Sequence, residues 1–164
     1  MKNKYIILWA ICIFIIKTTL LDLFLFANYH PNIMLIAIVY FSVKYDFKVV
    51  LKLAIILGLF QDIFMSLFIG GNILAYIIVT FFVCNFETAF NKRSVISPVI
   101  LITVSTIIYN VIYFILGNVL GYNLIVSQLF STVSIGILIN SLIQIIIHRY
   151  FLKKELWGNI WLKD

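Results

Sequence analysis

The sequence predicts an all-α integral membrane protein that forms one domain with six transmembrane helices. Of the 164 residues, 64% are hydrophobic and 11% are charged, whereas soluble domains are roughly half apolar and a quarter charged. Apolar segments long enough to span a bilayer recur from Tyr5 to His148. The basic residues also cluster in alternate connections, as an even number of helices requires. We therefore expect residues 1–164 to form a single membrane domain.

Each predicted helix is an apolar run bounded by polar or turn-forming residues. The first run continues past Lys17 without a small-residue cleavage pattern, so we predict a helix rather than a signal peptide. Pro31 suits the first turn of the second helix, and Gly70 and Gly71 mark the turn before the fourth. The second and fourth runs span only roughly 18 to 23 Å, so they must stand nearly upright, extend into their connections or cross a thinned bilayer. The predicted helices are Tyr5–Ala27, Asn32–Val43, Val49–Phe68, Asn72–Phe86, Ile96–Leu116 and Leu124–His148.

The basic residues predict the orientation of these helices. Eleven of the twelve fall on one side of the six-helix plan, and Lys17 is the twelfth. Because Lys and Arg collect in cytoplasmic connections, both termini are predicted to be cytoplasmic, and the net charge of +6 requires no nucleic acid partner. Residues 149–164 are predicted to form a short tail at the cytoplasmic membrane surface. The eleven are Lys2, Lys4, Lys44, Lys48, Lys52, Lys92, Arg93, Arg149, Lys153, Lys154 and Lys163.

Three polar residues on different helices are predicted to share one depth in the membrane. Lys17, Asp62 and Asn110 each lie roughly 18 to 21 Å from the cytoplasmic end of their helix. A charge at that depth costs at least about 2.5 to 3.5 kcal/mol unless it faces protein or water. We therefore hypothesise that Lys17 and Asp62 form an ion pair, with Asn110 or Gln61 filling the remaining hydrogen bonds. Alternatively, Asp62 is neutral and Lys17 extends toward the outer interface.

The sixth helix carries a stripe of small and polar residues. Such stripes favour helix–helix contact in lipid, although a lined permeation path is the functional alternative. A weaker stripe follows the fifth helix, so the two faces are expected to pack on each other or on a partner subunit. The stripes comprise Thr132, Gly136, Asn140, Gln144 and His148, and Thr103, Thr106, Asn110 and Gly117.

The sequence gives little indication of catalysis, a cofactor or a metal site. His30 and His148 are predicted at opposite membrane faces, so neither can activate a shared nucleophile. Cys12 and Cys84 lie in apolar runs without a CxxC motif, which argues against a zinc site or a disulfide framework. No phosphate-binding glycine loop is found. We expect a protein that is not an enzyme and binds no cofactor.

Three short motifs follow one another within about 50 residues of the chain: a Pro-Asn-Ile opening to the second helix, a G-x-x-Q-D pattern and a Gly-x-x-Leu-x-Tyr stretch. In this order and spacing they resemble the bacterial rod shape-determining membrane protein MreD family. Asn32 stands where the family more often has Asp, so a role for that acid is in doubt. The motif residues are Pro31, Asn32, Ile33, Gly58, Gln61, Asp62, Gly71, Leu74 and Tyr76.

The resemblance implies a non-enzymatic scaffold of the cell-elongation machinery in the bacterial inner membrane. Its implied partners are an MreC-like bitopic protein and, through it, an MreB-like filament and the RodA–transpeptidase complex. It also implies a fold similar to the substrate-capture subunits of energy-coupling-factor transporters. Gly58, Gln61 and Asp62 would then form a structural core or face a partner.

A rival interpretation is a transport subunit that captures a small molecule. It predicts a polar cavity of ligand size opening outward, whereas a scaffold predicts a bundle filled with side chains. Small-residue AxxxA docking patterns, which we would expect of a capture subunit, are absent from the first and third helices.

Overall fold

The computed structural model describes the backbone of residues 3–23, 31–86 and 96–161, and these segments are helical apart from short connections. For the residues that the structure describes, the prediction of an all-helical architecture with six helices is confirmed. Within the described segments the helices are α1 (Asn3–Leu23), α2 (Ile33–Lys44), α3 (Phe47–Met65), α4 (Gly71–Phe86), α5 (Ile96–Val119) and α6 (Val126–Trp161).

Two helices are long and apolar enough to cross a membrane by length and composition. These are α5, with a mean hydropathy of 2.3, and the Val126–Tyr150 part of α6, with a mean hydropathy of 2.0. Shorter apolar stretches lie in α1, α2 and α4, while α3 carries two lysines and Asp62. This arrangement is consistent with a multi-pass membrane protein.

The short helix α2 lies at the centre of the bundle. It packs against α1, α3, α4, α5 and α6. Its buried side chains cover most of its circumference, and Ala37 and Tyr40 on the remaining side are partly buried. A helix that is apolar on all sides is stable where other helices surround it. The 12 residues of α2 therefore sit largely within protein, so its length need not match the bilayer.

The chain leaves α3 through an irregular connection that buries an aromatic side chain. Ser66 is extended, and its hydroxyl donates to the carbonyl of Gln61 at 3.1 Å. Gly70 has φ of +102°, a conformation that favours glycine. Phe68 lies between the rings of Tyr113 and Tyr122, with centroid distances of 4.8 and 5.4 Å. This connection fixes where α4 begins.

Several predicted boundaries differ from the structure. Helix α3 ends at Met65 rather than Phe68, and α6 continues to Trp161 instead of ending at His148. The location of residues 149–164 at the membrane surface remains a prediction. The predicted helix end at 24–27, the connection at 28–30, and the basic residues Lys2, Lys92, Arg93 and Lys163 lie outside the described residues.

Candidate functional site

Asp62 binds the first turn of α4 through both carboxylate oxygens. Its Oδ2 accepts hydrogen bonds from the backbone N–H groups of Gly70 at 2.8 Å and Ile73 at 3.2 Å. Its Oδ1 accepts from the backbone N–H of Asn72 at 3.0 Å and from Asn72 Nδ2 at 2.8 Å. The first N–H groups of a helix have no partner within it, and its dipole favours a negative charge there. Asp62 therefore acts as the N-terminal cap of α4, supplied by a neighbouring helix.

Gly58 lets the start of α4 approach α3 closely enough for that cap. It lies one turn before Asp62 on the same face of α3. A Cβ at Gly58 would lie 2.6 Å from Cα and 2.8 Å from the backbone N of Ile73. These are backbone atoms, so α4 would have to move. The Gly and the Asp of the G-x-x-Q-D motif thus serve the same contact between two helices.

Gln61, the Gln of that motif, joins α3 to α4 and α5. Its Nε2 donates to Asn72 Oδ1 at 2.9 Å and to the Tyr109 hydroxyl at 3.0 Å. The Tyr76 hydroxyl lies 2.6 Å from Gln61 Oε1 and 2.9 Å from Asn32 Oδ1, and donates its one proton toward these acceptors. The rings of Tyr76 and Tyr109 are stacked, with centroids 5.3 Å apart. Three helices are held together by one amide side chain.

Asn32 extends the network to α2 and α6. Its Oδ1 accepts from the backbone N–H of Leu35 at 3.1 Å, so it caps α2, and its own backbone N–H donates to Asn140 Oδ1 at 3.0 Å. Asn140 Nδ2 donates to the Thr106 hydroxyl at 3.2 Å. Asparagine is a good N-cap residue, so the departure from Asp preserves the cap. We call the set from Asp62 to Thr106 the polar network: Asp62, Gln61, Asn72, Tyr76, Tyr109, Asn32, Asn140 and Thr106.

Gly71 and Pro31 flank this network. A Cβ on Gly71 would overlap the Phe68 ring, which itself packs against Tyr113 and Tyr122. Pro31 is buried immediately before the α2 cap. Both family-motif residues therefore occupy positions with little free space.

The hypothesis of an ion pair between Lys17 and Asp62 is wrong. Among the described residues no ion pair joins them, and the carboxylate is bonded to the start of α4 instead. Gln61 bonds to Asn72 and the two tyrosines, and Asn110 Nδ2 donates to the carbonyl of Thr106 at 2.8 Å. The depth of each residue along its helix predicted the Lys17 ammonium as the partner of Asp62. Depth could not reveal that the carboxylate lies within hydrogen-bonding distance of the backbone N–H groups of α4.

Lys17 and Asn110 line a partly open cavity of about 720 Å³. The walls come from α1, the start of α2, the end of α3, α5 and the first half of α6. Lys17 is 6% exposed. Gln61, Asn32 and Asn140 also line this space, so the polar network borders it on one side.

The α6 stripe packs largely within the chain. Gly136 faces Thr106, because a Cβ built on Gly136 would lie 3.4 Å from Thr106 Cγ2. Asn140 and Gln144 are each 2% exposed. Gln144 Oε1 has no hydrogen-bond partner in the described part of the chain. Thr132, by contrast, is exposed beside the cavity. The expected contact between the α5 and α6 stripes is therefore present from Gly136 toward Gln144.

Sequence reasoning missed Asn72, Tyr109 and the capping role of Asp62. Asn72 follows the Gly70–Gly71 turn directly, and an Asn there is a recognisable sign of a helix start. Tyr109 gave no comparable sign in the sequence. Tyrosines are common in apolar helices, where the ring packs among apolar groups and the hydroxyl finds a polar partner.

The described residues form a bundle of apolar helices that a buried polar network joins to one another. This arrangement is consistent with a multi-pass membrane protein. A comparison with protein families matches residues 2–154 to the family described as rod shape-determining protein MreD. The chain belongs to the MreD family. No curated protein and no solved structure matches it significantly.

Membership of this family establishes the broad role of the protein. It acts in the determination of rod cell shape, in association with the cell-shape machinery, and it is not an enzyme. Together with the apolar helices, the family suggests a location in the cytoplasmic membrane. The predicted family and the prediction of a non-enzymatic protein are confirmed.

Proposed function

We propose that this protein is a multi-pass scaffold of the cell-elongation machinery that regulates cell shape and peptidoglycan synthesis through contacts between membrane helices. The observation that carries the proposal is the family match over residues 2–154. Its direct partner is an MreC-like bitopic protein. Through that partner it joins an MreB-like filament and the RodA–transpeptidase complex to the inner membrane.

The distribution of basic residues supports an orientation with both termini in the cytoplasm. Lys44, Lys48 and Lys52 are exposed around the α2–α3 connection, while the connections after α3 and after α5 contain no Lys or Arg. The cytoplasmic excess of basic residues sets the orientation of such proteins. In this orientation the cavity and the start of α4 lie toward the outer side.

An exposed apolar stripe on α6 is the surface that we assign to the bitopic partner. Its large side chains recur every four residues and are more than half exposed. Ser134 interrupts them at mid-helix, and a small residue there lets a second helix approach closely. The partner stripe consists of Val126, Phe130, Ser134, Leu138, Leu142 and Ile146.

Copurification of the bitopic protein tests this surface. Ser134→Phe fills the gap in the partner stripe and is expected to reduce copurification and the rod shape of complemented cells, whereas Ser134→Ala keeps the gap and is the matched control. An unchanged yield of partner with Ser134→Phe would show that the stripe faces lipid. Depletion of the protein tests the function itself, because a scaffold of elongation is expected to leave rounded cells.

The cavity of about 720 Å³ favours a second candidate function, capture of a small molecule for transport. It was the feature expected of a substrate-capture subunit, and its size falls in the range of roughly 300 to 1,000 Å³ typical of ligand sites. Depletion separates the two candidates: transport predicts growth that is rescued by a nutrient, and a scaffold predicts loss of shape that no nutrient rescues.

A further inference from the structure

The cavity contains an ammonium group that no described residue neutralises. Lys17 is 94% buried, given its 6% exposure, and no described side chain or carbonyl lies within hydrogen-bonding or ion-pairing distance of its Nζ. The acid nearest in depth, Asp62, already accepts four hydrogen bonds from the start of α4. A buried cation inside a membrane domain requires a counter-charge or water.

The lining of the cavity has two kinds of surface. Asn32, Gln61 and Asn110 line the same cavity as Lys17 and provide amide groups, while Leu35, Phe114 and Ile139 provide apolar walls. A ligand that fills the space therefore meets a positive charge, amide groups and apolar surface within one cavity. An inserted acidic side chain from a partner helix would neutralise Lys17 but leave most of the 720 Å³ unfilled.

We propose that this cavity is a binding site for an anionic amphiphile, whose phosphate or carboxylate head pairs with Lys17 and whose chain lies against the apolar walls. The ammonium donates up to three charge-assisted hydrogen bonds to such a head. The cavity is built at the end of the bundle opposite the lysine-bearing α2–α3 connection, so the ligand enters from the outer side. The proposal does not depend on the scaffold function, which concerns the opposite face of α6.

Binding of defined amphiphiles to the purified full chain in a neutral maltoside detergent tests the proposal, with native mass spectrometry as the readout. Dodecyl phosphate and dodecanoate are the anionic probes. Dodecylphosphocholine has the same chain with a zwitterionic head, and inorganic phosphate has the head without a chain. We expect the two anionic amphiphiles to bind more tightly than either control.

Lys17→Met removes the charge while keeping an unbranched side chain and is expected to weaken dodecyl phosphate binding by about tenfold or more. Lys17→Arg, which keeps the charge, is expected to retain most of the affinity. Lys52→Met, an exposed lysine at the other end of the bundle, is the matched control and should bind as the natural protein does. Thermal unfolding without ligand establishes that each variant is folded.

Four results would overturn the proposal. The first is equal binding of dodecyl phosphate by Lys17→Met and the natural protein. The second is equal binding of the zwitterionic probe, which would indicate a site for chains alone. The third is full competition by inorganic phosphate at the same concentration, which would indicate a site for soluble anions. If no amphiphile binds but Lys17→Met loses the bitopic partner, the lysine belongs to a protein interface instead.

Discussion

The carboxylate of Asp62 is tolerated in an apolar helix because it accepts four hydrogen bonds from Gly70 and the first turn of α4. A buried carboxylate is tolerated when it is paired or fully hydrogen-bonded. Here the donors are mainly backbone N–H groups, which any sequence supplies. Asp62 therefore fixes the position of α4 without requiring a basic residue.

We expect Asp62→Ala to lower the free energy of unfolding by about 3 kcal/mol, because it removes a helix cap and leaves buried N–H groups without acceptors. The measurement is reversible unfolding in mixed micelles. Asp46→Ala is the control: Asp46 also precedes a helix, but it is exposed and its side chain makes no cap hydrogen bond. That variant should change stability by less than about 0.5 kcal/mol. Similar losses at both positions would contradict the assigned role.

Two glycine substitutions are expected to have opposite effects. Gly58→Ala should destabilise the protein by about 1 to 3 kcal/mol, since its Cβ would meet the backbone of Ile73 at 2.6 Å. Gly136→Ala should be neutral or stabilising by about 0.5 to 1 kcal/mol, because its Cβ meets only Thr106 Cγ2 at 3.4 Å and alanine favours the helix. Thermal unfolding midpoints of the two variants compare them directly. A stable Gly58→Ala protein would show that α3 and α4 pack less closely.

At the scale of elements, the starts of α2 and α4 are fixed by hydrogen bonds to other helices as well as by residues of their own. Helix α4 receives its cap from α3, and the capping residue of α2 bonds to α6 through Asn140. Hydrogen bonds between membrane helices are individually modest, at roughly 0.6 kcal/mol on average. Their combined effect is to specify which helix ends meet.

A double-mutant cycle on Asn140 and Thr106 tests the contact between α5 and α6. Asn140→Leu and Thr106→Val are each expected to destabilise the protein, and the double variant should lose less than their sum, with a coupling of about 0.5 to 1.5 kcal/mol. The control cycle pairs Thr106→Val with Ser134→Ala, which lies on the exposed face of α6, and should show no coupling. Additive effects in the first cycle would argue against the Asn140–Thr106 hydrogen bond.

At the scale of the whole molecule, the bundle is organised around the central helix α2. Its contacts with all five other described helices explain why 12 residues suffice where a lipid-facing span requires about 20. The network residues lie toward one end of the bundle, and several of them line the cavity at that end. The two features make that end polar within a mainly apolar protein.

Cysteine accessibility tests the proposed orientation. In a protein with Cys12 and Cys84 replaced, we expect a cysteine at Asn123 to react with a membrane-impermeant maleimide in cells with a permeabilised outer membrane, if one is present. A cysteine at Lys48 should react only after the cells are lysed. Both positions are exposed, so burial does not limit either reaction. Labelling of Lys48→Cys in intact cells would reverse the assigned topology.

The sequence by itself determined that the chain is helical and apolar, how many helices it has and which family it belongs to. These properties follow from composition, from the length of apolar runs and from the order of short motifs, all of which are local or additive along the chain. Gln61 and Asp62 could be singled out on the same basis, since a polar residue in an apolar run needs an explanation. Gly58 could be singled out through the motif that it shares with them.

Only the tertiary structure decided what those residues bind. Asp62 was assigned to Lys17 because opposite charges attract, yet the N–H groups of α4 lie at hydrogen-bonding distance and depend on the Gly58 contact and on the positive φ of Gly70. Backbone donors have no signature in the sequence, and the separation between helices depends on how they pack. For the same physical reason, the structure alone showed that Lys17 faces a cavity.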